Sequence, residues 1–117
     1  MAYVDGFVLA VPKANIEAYK KLAGACEPIW REYGAIEYVE CIGDDTPYGE
    51  VTSFPRSVQA KEDEIVVFSW IVYPDKATRD ACNAKVMEDP RLKEMMATDV
   101  FDAKRMIYGG FASFLGK

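Results

Sequence analysis

Histidine is absent from this 117-residue sequence. Its absence excludes a Ser-His or Cys-His catalytic relay, a His-ligated zinc site and a His-ligated haem. Any acid–base chemistry must therefore come from Asp, Glu, Tyr, Lys or Cys side chains. The sequence also lacks a Walker loop, a nucleotide-binding glycine fingerprint, the G-x-S-x-G turn of serine hydrolases and a C-x-x-C pair.

Basic clusters and long apolar runs are missing as well. The net charge is -5 and the pI is about 4.7, which argues against nucleic-acid binding because that requires clustered Lys and Arg. No stretch approaches the roughly 20 apolar residues of a membrane-spanning helix. The N-terminus does not resemble a signal peptide. We therefore expect a cytoplasmic protein with no nucleic-acid or membrane partner.

The sequence contains few cysteines, namely Cys26, Cys41 and Cys82. An odd number cannot form a complete disulfide framework, and all of them lie within apolar patterns. We therefore expect buried, reduced thiols. Asp44 and Asp45 resemble a fragment of an oxygen-rich metal loop, but the remaining ligands of such a loop are missing. The sequence thus predicts no metal site and no cofactor.

The feature around which the chain is organised is the apolar stretch I-V-V-F-S-W-I-V-Y at residues 65–73. Its β-branched and aromatic residues favour a strand, and its length suits one buried strand. Because side chains alternate between the two faces of a strand, both faces of this strand are apolar. Residues 3–11 are also apolar on both faces, except for Asp5.

Strands and helices alternate along the rest of the chain. Strands are predicted at residues 3–11, 35–43, 65–73 and 104–115, and helices at 16–33 and 76–88, with a shorter helix after Asp89. The order β-α-β-β-α-β favours one ferredoxin-like α+β domain over residues 1–117. Its antiparallel sheet has the strand order 4-1-3-2 and carries both helices on one face. Glu37 and Glu40 suit the second strand to an edge.

Two helices can cover only one face of this sheet, although the other face is equally apolar. An exposed apolar patch of that size is rare on a soluble monomer. We therefore predict a homodimer that forms through the open face around a two-fold axis. The alternative is a monomer whose long connection, residues 44–63, folds over the open face. Within that connection, residues 51–54 are suited to a short extra strand.

Several segments resemble the YbaA-like family of uncharacterised bacterial proteins. They are V-T-S-F-P at 51–55, F-S-W-I-V-Y at 68–73, E-D-P-R-L at 88–92 and F-D-A-K-R-M-I-Y-G-G-F at 101–111. That family is placed in the dimeric α+β barrel superfamily. The resemblance implies a ferredoxin-like subunit and a dimer whose sheets form a barrel, and it implies no activity. More distant members include cofactor-free monooxygenases, haem-degrading enzymes, isomerases and stress-induced proteins, which are analogies of fold.

Asp5 and Tyr108 are the predicted catalytic residues. A carboxylate inside an apolar strand must be paired, hydrogen-bonded or neutral. Asp5 is therefore either a general base with a raised pKa or a structural carboxylate. Tyr38, Trp70 and Tyr108 carry donor groups on apolar bodies, which suits a ligand pocket between sheet and helices. The same residue types also suit core or dimer-interface packing.

The predicted ligand-binding set is Trp70, Arg105, Ser69 and Tyr38. Arg105 is suited to clamp a carboxylate or phosphate group, or to pair with Asp102 or a glutamate. Ser69 can hydrogen-bond either a ligand or its own backbone. Glu37 and Glu40 have opposite parity on their strand, so they point to opposite faces and do not form a catalytic dyad.

Two functions follow from these patterns. The first is a small-molecule binder or cofactor-free enzyme with a pocket between sheet and helices, and with residues 44–63 as a lid. The alternative is a non-catalytic homodimer, structural or stress-related, whose aromatic surface is buried by dimerisation. Redox sensing by cysteine is a weaker third hypothesis because the thiols are expected to be buried. The residues alone identify neither a substrate nor a reaction class.

Overall fold

A computed structural model describes all residues from 1 to 117. The strands are β1 (Tyr3–Pro12), β2 (Glu37–Ile42), β3 (Glu64–Tyr73) and β4 (Ile107–Ala112), and the helices are α1 (Ile16–Glu32), α2 (Phe54–Ser57), α3 (Lys76–Glu88) and α4 (Pro90–Met95). All neighbouring strands are antiparallel, in the order β2-β3-β1-β4. Read from the other edge, this is the predicted order, and the ferredoxin-like fold is confirmed. No helix has the length and hydropathy needed to cross a bilayer.

Helices α1, α3 and α4 cover one face of the sheet. The residues of α1, α3, α4 and β3 that form the largest buried cluster include Cys26, Ile29, Ile71, Tyr73, Cys82, Val86 and Leu92. Each fully buried side chain of this kind contributes roughly 1.5–3 kcal/mol. Helix α1 is followed by Gly34, whose positive φ of 123° favours glycine. This packing fixes α1 above the strands that carry the site.

The opposite face of the sheet is covered only at one end. There, α2 and Val58 pack against side chains of β1 and β3. Farther along, Phe68 is 41%, Ile107 45% and Phe111 64% exposed. The connection between β2 and β3 therefore folds over part of the open face, and an apolar surface remains beyond it.

Two predicted elements differ in the structure. β4 is shorter than the predicted strand 104–115, because Asp102 accepts a hydrogen bond from the Lys104 N–H at 3.0 Å and caps a 3-10 turn instead. The extra strand at 51–54 does not form. Ser53 accepts a hydrogen bond from the Arg56 N–H at 3.1 Å and starts the short helix α2.

The cysteines divide between the two faces. Cys26 and Cys82 are buried, as expected, and all three thiols are free. The prediction was wrong for Cys41, which is exposed. Cys41 lies opposite Phe68 in the β2–β3 register and so belongs to the open face of an edge strand.

Candidate functional site

A cavity of about 350 Å³ lies between the helix-covered face of the sheet and the helices. Of its 19 lining residues, 16 are hydrophobic. Leu22, Ala23, Cys26 and Trp30 of α1 form one wall, and Met87, Leu92 and Met96 lie on the side of α3 and α4. A concave, mostly apolar cavity with a few polar groups is the usual form of a small-molecule site.

Glu40 is the only carboxylate that lines this cavity. It is opposite Ser69 in the β2–β3 register, so its side chain points to the helix-covered face. The Tyr19 hydroxyl on α1 donates a hydrogen bond to Glu40 Oε1 at 2.8 Å. The hydroxyls of Tyr38 and Ser69 lie near the carboxylate and favour its ionised form. Glu40 takes part in none of the ion pairs of the protein.

Burial raises the pKa of Glu40 above its ordinary value, and the surrounding hydroxyls only partly oppose that rise. Burial, reinforced by the Glu40 charge, also raises the pKa of both Tyr19 and Tyr38. Burial is likewise the main cause that raises the pKa of Cys26 to about 11. The site therefore combines one carboxyl group that titrates with several groups that stay protonated.

This arrangement is suited to proton transfer. A carboxylate with a raised pKa is a stronger base than a free one, and its acid form persists closer to neutral pH. Neutral hydroxyl groups beside it can donate hydrogen bonds to an anion that forms in the cavity. No group of three or more Cys, Asp or Glu side chains is placed to hold a metal ion.

A second cavity, of about 270 Å³, opens between α1 and β2. Tyr19, Ala23, Tyr38 and Glu40 line both cavities. The hydrogen bond between Tyr19 and Glu40 therefore lies where the two cavities meet.

Tyr38, Ser69 and Trp70 of the predicted site border the first cavity. Tyr38 and Ser69 are on the same face as Glu40. The indole ring of Trp70 packs edge-on against Phe68 with ring centroids 5.7 Å apart, on the opposite face of β3. The structure thus brings two of the predicted polar groups to Glu40 and directs the Trp70 ring away.

Asp5, Arg105 and Tyr108 lie outside this cavity. Asp5 is buried and pairs with Arg79, whose Nη2 is 3.0 Å from Asp5 Oδ1. Arg105 pairs with Glu64 at 2.6 Å, and Tyr108 is 73% exposed. The structure therefore does not assemble these residues into the pocket that the sequence suggested. A catalytic role for Asp5 or Tyr108 stays a prediction, and the cavity gives it no support.

Two residues of the site, Glu40 and Tyr19, are not among those predicted from the sequence. Glu40 has the residue type expected at an exposed edge strand. The signal that distinguishes it is its parity, because it shares a face with Tyr38 and is flanked by Val39 and Cys41. Tyr19 lies in the apolar stripe of α1, where a hydroxyl that faces a sheet needs a partner.

The amino-acid sequence matches the family DUF1428, described as "Protein of unknown function", over residues 2–103. It is also 53% identical over 115 residues to "Uncharacterized protein YbaA" of Escherichia coli strain K12, covering 98% of each chain. The chain belongs to the DUF1428 family. The resemblance to YbaA-like proteins that its segments suggested is thereby confirmed.

Solved structures that resemble this DUF1428 protein share little sequence with it. A dimeric ferredoxin-like protein from an uncultured marine organism has a TM-score of 0.62 at 10% identity and covers 100% of both chains. A putative antibiotic biosynthesis monooxygenase from Nitrosomonas europaea has a TM-score of 0.61 at 15% identity, covering 97% of this chain and 91% of that one. SnoaB, a cofactor-independent oxygenase from Streptomyces nogalater, has a TM-score of 0.56 at 13% identity, covering 98% and 95%. At such low identity these likenesses show the ferredoxin-like fold alone.

Proposed function

We propose that this DUF1428 protein binds a small, mostly apolar and weakly acidic molecule in the first cavity and accepts a proton from it through Glu40. One observation carries the proposal: a carboxylate with a raised pKa forms no ion pair in a cavity where 16 of 19 lining residues are hydrophobic and Lys93 is the one cation. Such a placement is typical of a functional carboxylate rather than a structural one.

The chemistry needs only the side chains of the site. A proton leaves an O–H or an activated C–H group of the ligand and bonds to a Glu40 carboxylate oxygen, and the ligand becomes an anion. Glu40 is then neutral, so the hydroxyls of Tyr19 and Tyr38 can donate to the new anion instead. Return of the proton to the ligand or to water regenerates the carboxylate.

The fold neighbours support cofactor-free chemistry by analogy. One of them is described as a cofactor-independent oxygenase and another as a putative monooxygenase. A shared fold does not transfer a reaction between proteins. Support for Glu40 therefore comes from the cavity itself, and the neighbours add only that a cofactor-independent oxygenase has this fold.

Glu40→Gln tests this proposal. With 2-naphthol as the probe, fluorescence titration should show affinity about tenfold or more below that of the wild type, because a hydrogen bond to a charged group contributes about 1.5–3 kcal/mol. The matched control is Glu37→Gln, on the same strand but the opposite face, and it should bind normally. Equal affinity of the Glu40→Gln and wild-type proteins would remove Glu40 from the site.

A non-catalytic homodimer is the second candidate function, and the exposed aromatic surface of the open face favours it. If neither 2-naphthol nor a panel of other aromatic weak acids binds the wild-type protein, this second function replaces the first. The free thiols of all three cysteines suit a reducing compartment. We therefore propose a cytoplasmic location for either function.

We infer for both candidates that a second copy of the chain covers the open face. Phe68, Ile107 and Phe111 are large apolar residues exposed there, and two of the fold neighbours are described as dimeric. Light scattering should therefore give twice the 13.1 kDa chain mass. Phe111→Glu should yield monomers, while Ala18→Glu, exposed on α1, should leave the dimer intact. A wild-type particle of one chain mass would contradict the dimer.

A further inference from the structure

We propose that the second cavity is a further compartment of the same binding site, and that the ligand is elongated. Its apolar body occupies the first cavity and an uncharged polar arm extends into the second. The inference rests on the proposed function, because it places the acidic group of the ligand at Glu40, between the two compartments.

The two cavities share several lining residues. Tyr19, Ala23, Tyr38 and Glu40 border both spaces, so Glu40 lies at the boundary between them. A ligand that fills only the first cavity would leave a space of about 270 Å³ beside its reacting group. A ligand with its acidic group in the middle uses both spaces.

The linings of the two cavities differ in polarity. Hydrophobic residues make up 16 of 19 in the first and 7 of 11 in the second. Lys20 and Glu27 line the second cavity, but each has an ionic partner, at 3.3 Å for Lys20 with Glu17 and at 2.9 Å for Glu27 with Arg31. Because Lys20 and Glu27 carry opposite charges and both are solvent-exposed, neither sign of charge dominates this lining, and the compartment suits an arm that forms hydrogen bonds without a net charge.

Gly24 lies at the exposed wall of the second cavity. Glycine inside a helix is destabilising by about 0.5–1 kcal/mol relative to alanine, yet Gly24 lies within α1. A Cβ added there would meet no atom within 4 Å, so packing does not require glycine. Pro28, four residues later, lacks the N–H that would bond to the Gly24 carbonyl. Gly24 therefore leaves both space and a backbone acceptor at this wall.

Gly24→Phe tests the compartment by filling it from the helix surface. Two probes share one naphthol body: 2-naphthol, and N-(2-hydroxyethyl)-3-hydroxy-2-naphthamide, which carries a polar arm beside the hydroxyl. We expect the wild type to bind the longer probe about fivefold or more tightly. Gly24→Phe should abolish that difference and leave 2-naphthol binding unchanged. Ala25→Phe, exposed on the same helix and outside both cavities, should keep the difference.

The inference is overturned if the wild type binds both probes equally, or if Gly24→Phe keeps the preference for the longer probe. Failure of the proposed function looks different, since 2-naphthol would then fail to bind or would bind Glu40→Gln normally. Circular dichroism establishes that the variants fold. If Gly24→Phe does not fold, Gly24→Leu makes the same test with a smaller side chain.

Discussion

Two glutamates on neighbouring strands, Glu40 and Glu64, have opposite surroundings. The Glu64 side chain is 4% exposed and accepts hydrogen bonds of 2.8 and 2.6 Å from the guanidinium of Arg105. That pairing lowers the pKa of Glu64 to about 2. Glu40 has hydroxyl partners and no cation, and burial raises its pKa. The comparison shows that a counter-ion lowers the pKa of one carboxylate, while burial without a counter-ion raises the pKa of the other.

The largest expected change in stability comes from removing Arg105, the cationic partner of Glu64. Arg105→Leu leaves the Glu64 carboxylate buried without a cationic partner, with only the Lys61 N–H still donating to it at 2.7 Å, and this should cost about 3 kcal/mol of unfolding free energy. Urea unfolding at pH 7 measures this loss. Arg31→Leu is the control, because its pair with Glu27 is about half exposed and such surface pairs contribute at most about 1 kcal/mol. Similar losses in the two variants would mean that the Glu64 pair is an ordinary surface pair.

The second largest effect is expected in the unfolding free energy at acidic pH, and it depends on Glu64. Glu64 has a folded pKa of about 2, below its ordinary value of 4.5, so the unfolded chain binds more protons between these values. The stabilisation that ionised Glu64 gives the folded state is therefore present above pH 4.5 and is lost as the pH falls toward 2. Glu64→Gln should lose less stability than the wild type between pH 6 and pH 3. Parallel curves for both proteins would show that Glu64 is not held ionised.

The smallest change in unfolding free energy is expected for Glu40→Gln, and its dependence on pH is opposite to that of Glu64. Because its folded pKa is raised, the contribution of Glu40 is fully present below the unfolded pKa and is lost as the pH rises through the folded pKa. The neutral Gln variant should therefore be more stable than the wild type at pH 8, and this advantage should shrink at pH 5. Unfolding free energies at both pH values measure it. A Gln variant that is less stable at pH 8 would make Glu40 a second structural carboxylate.

The sequence predicts the fold well because its signals are local. Alternation along β1 and β3 identifies the central strands, and Asp89 before Pro90 marks the start of α4. The start of α2 was missed, although its signal is also local: Ser53 and Pro55 form a cap followed by a first-turn proline. These features depend on residues close together in the chain, so no tertiary information is needed.

The site was less predictable because its contacts are long-range. Tyr19 and Glu40 meet across 21 positions, and Arg105 meets Glu64 across 41. Residue type alone does not decide whether Arg105 or Glu40 is a ligand group or a structural charge, and only the structure shows that Arg105 pairs with Glu64 and Asp102. Strand parity separates the two faces of β2, but only the docking of α1 decides which face becomes a cavity.

Strand β3 separates the cavity from the open face by the thickness of one peptide chain. The Ser69 hydroxyl faces the cavity, and its immediate neighbours Phe68 and Trp70 face the other way. A displacement of the backbone at Ser69 must therefore move side chains on both sides of the sheet. A bulkier residue at this position would therefore disturb the proposed ligand binding and the proposed self-association together.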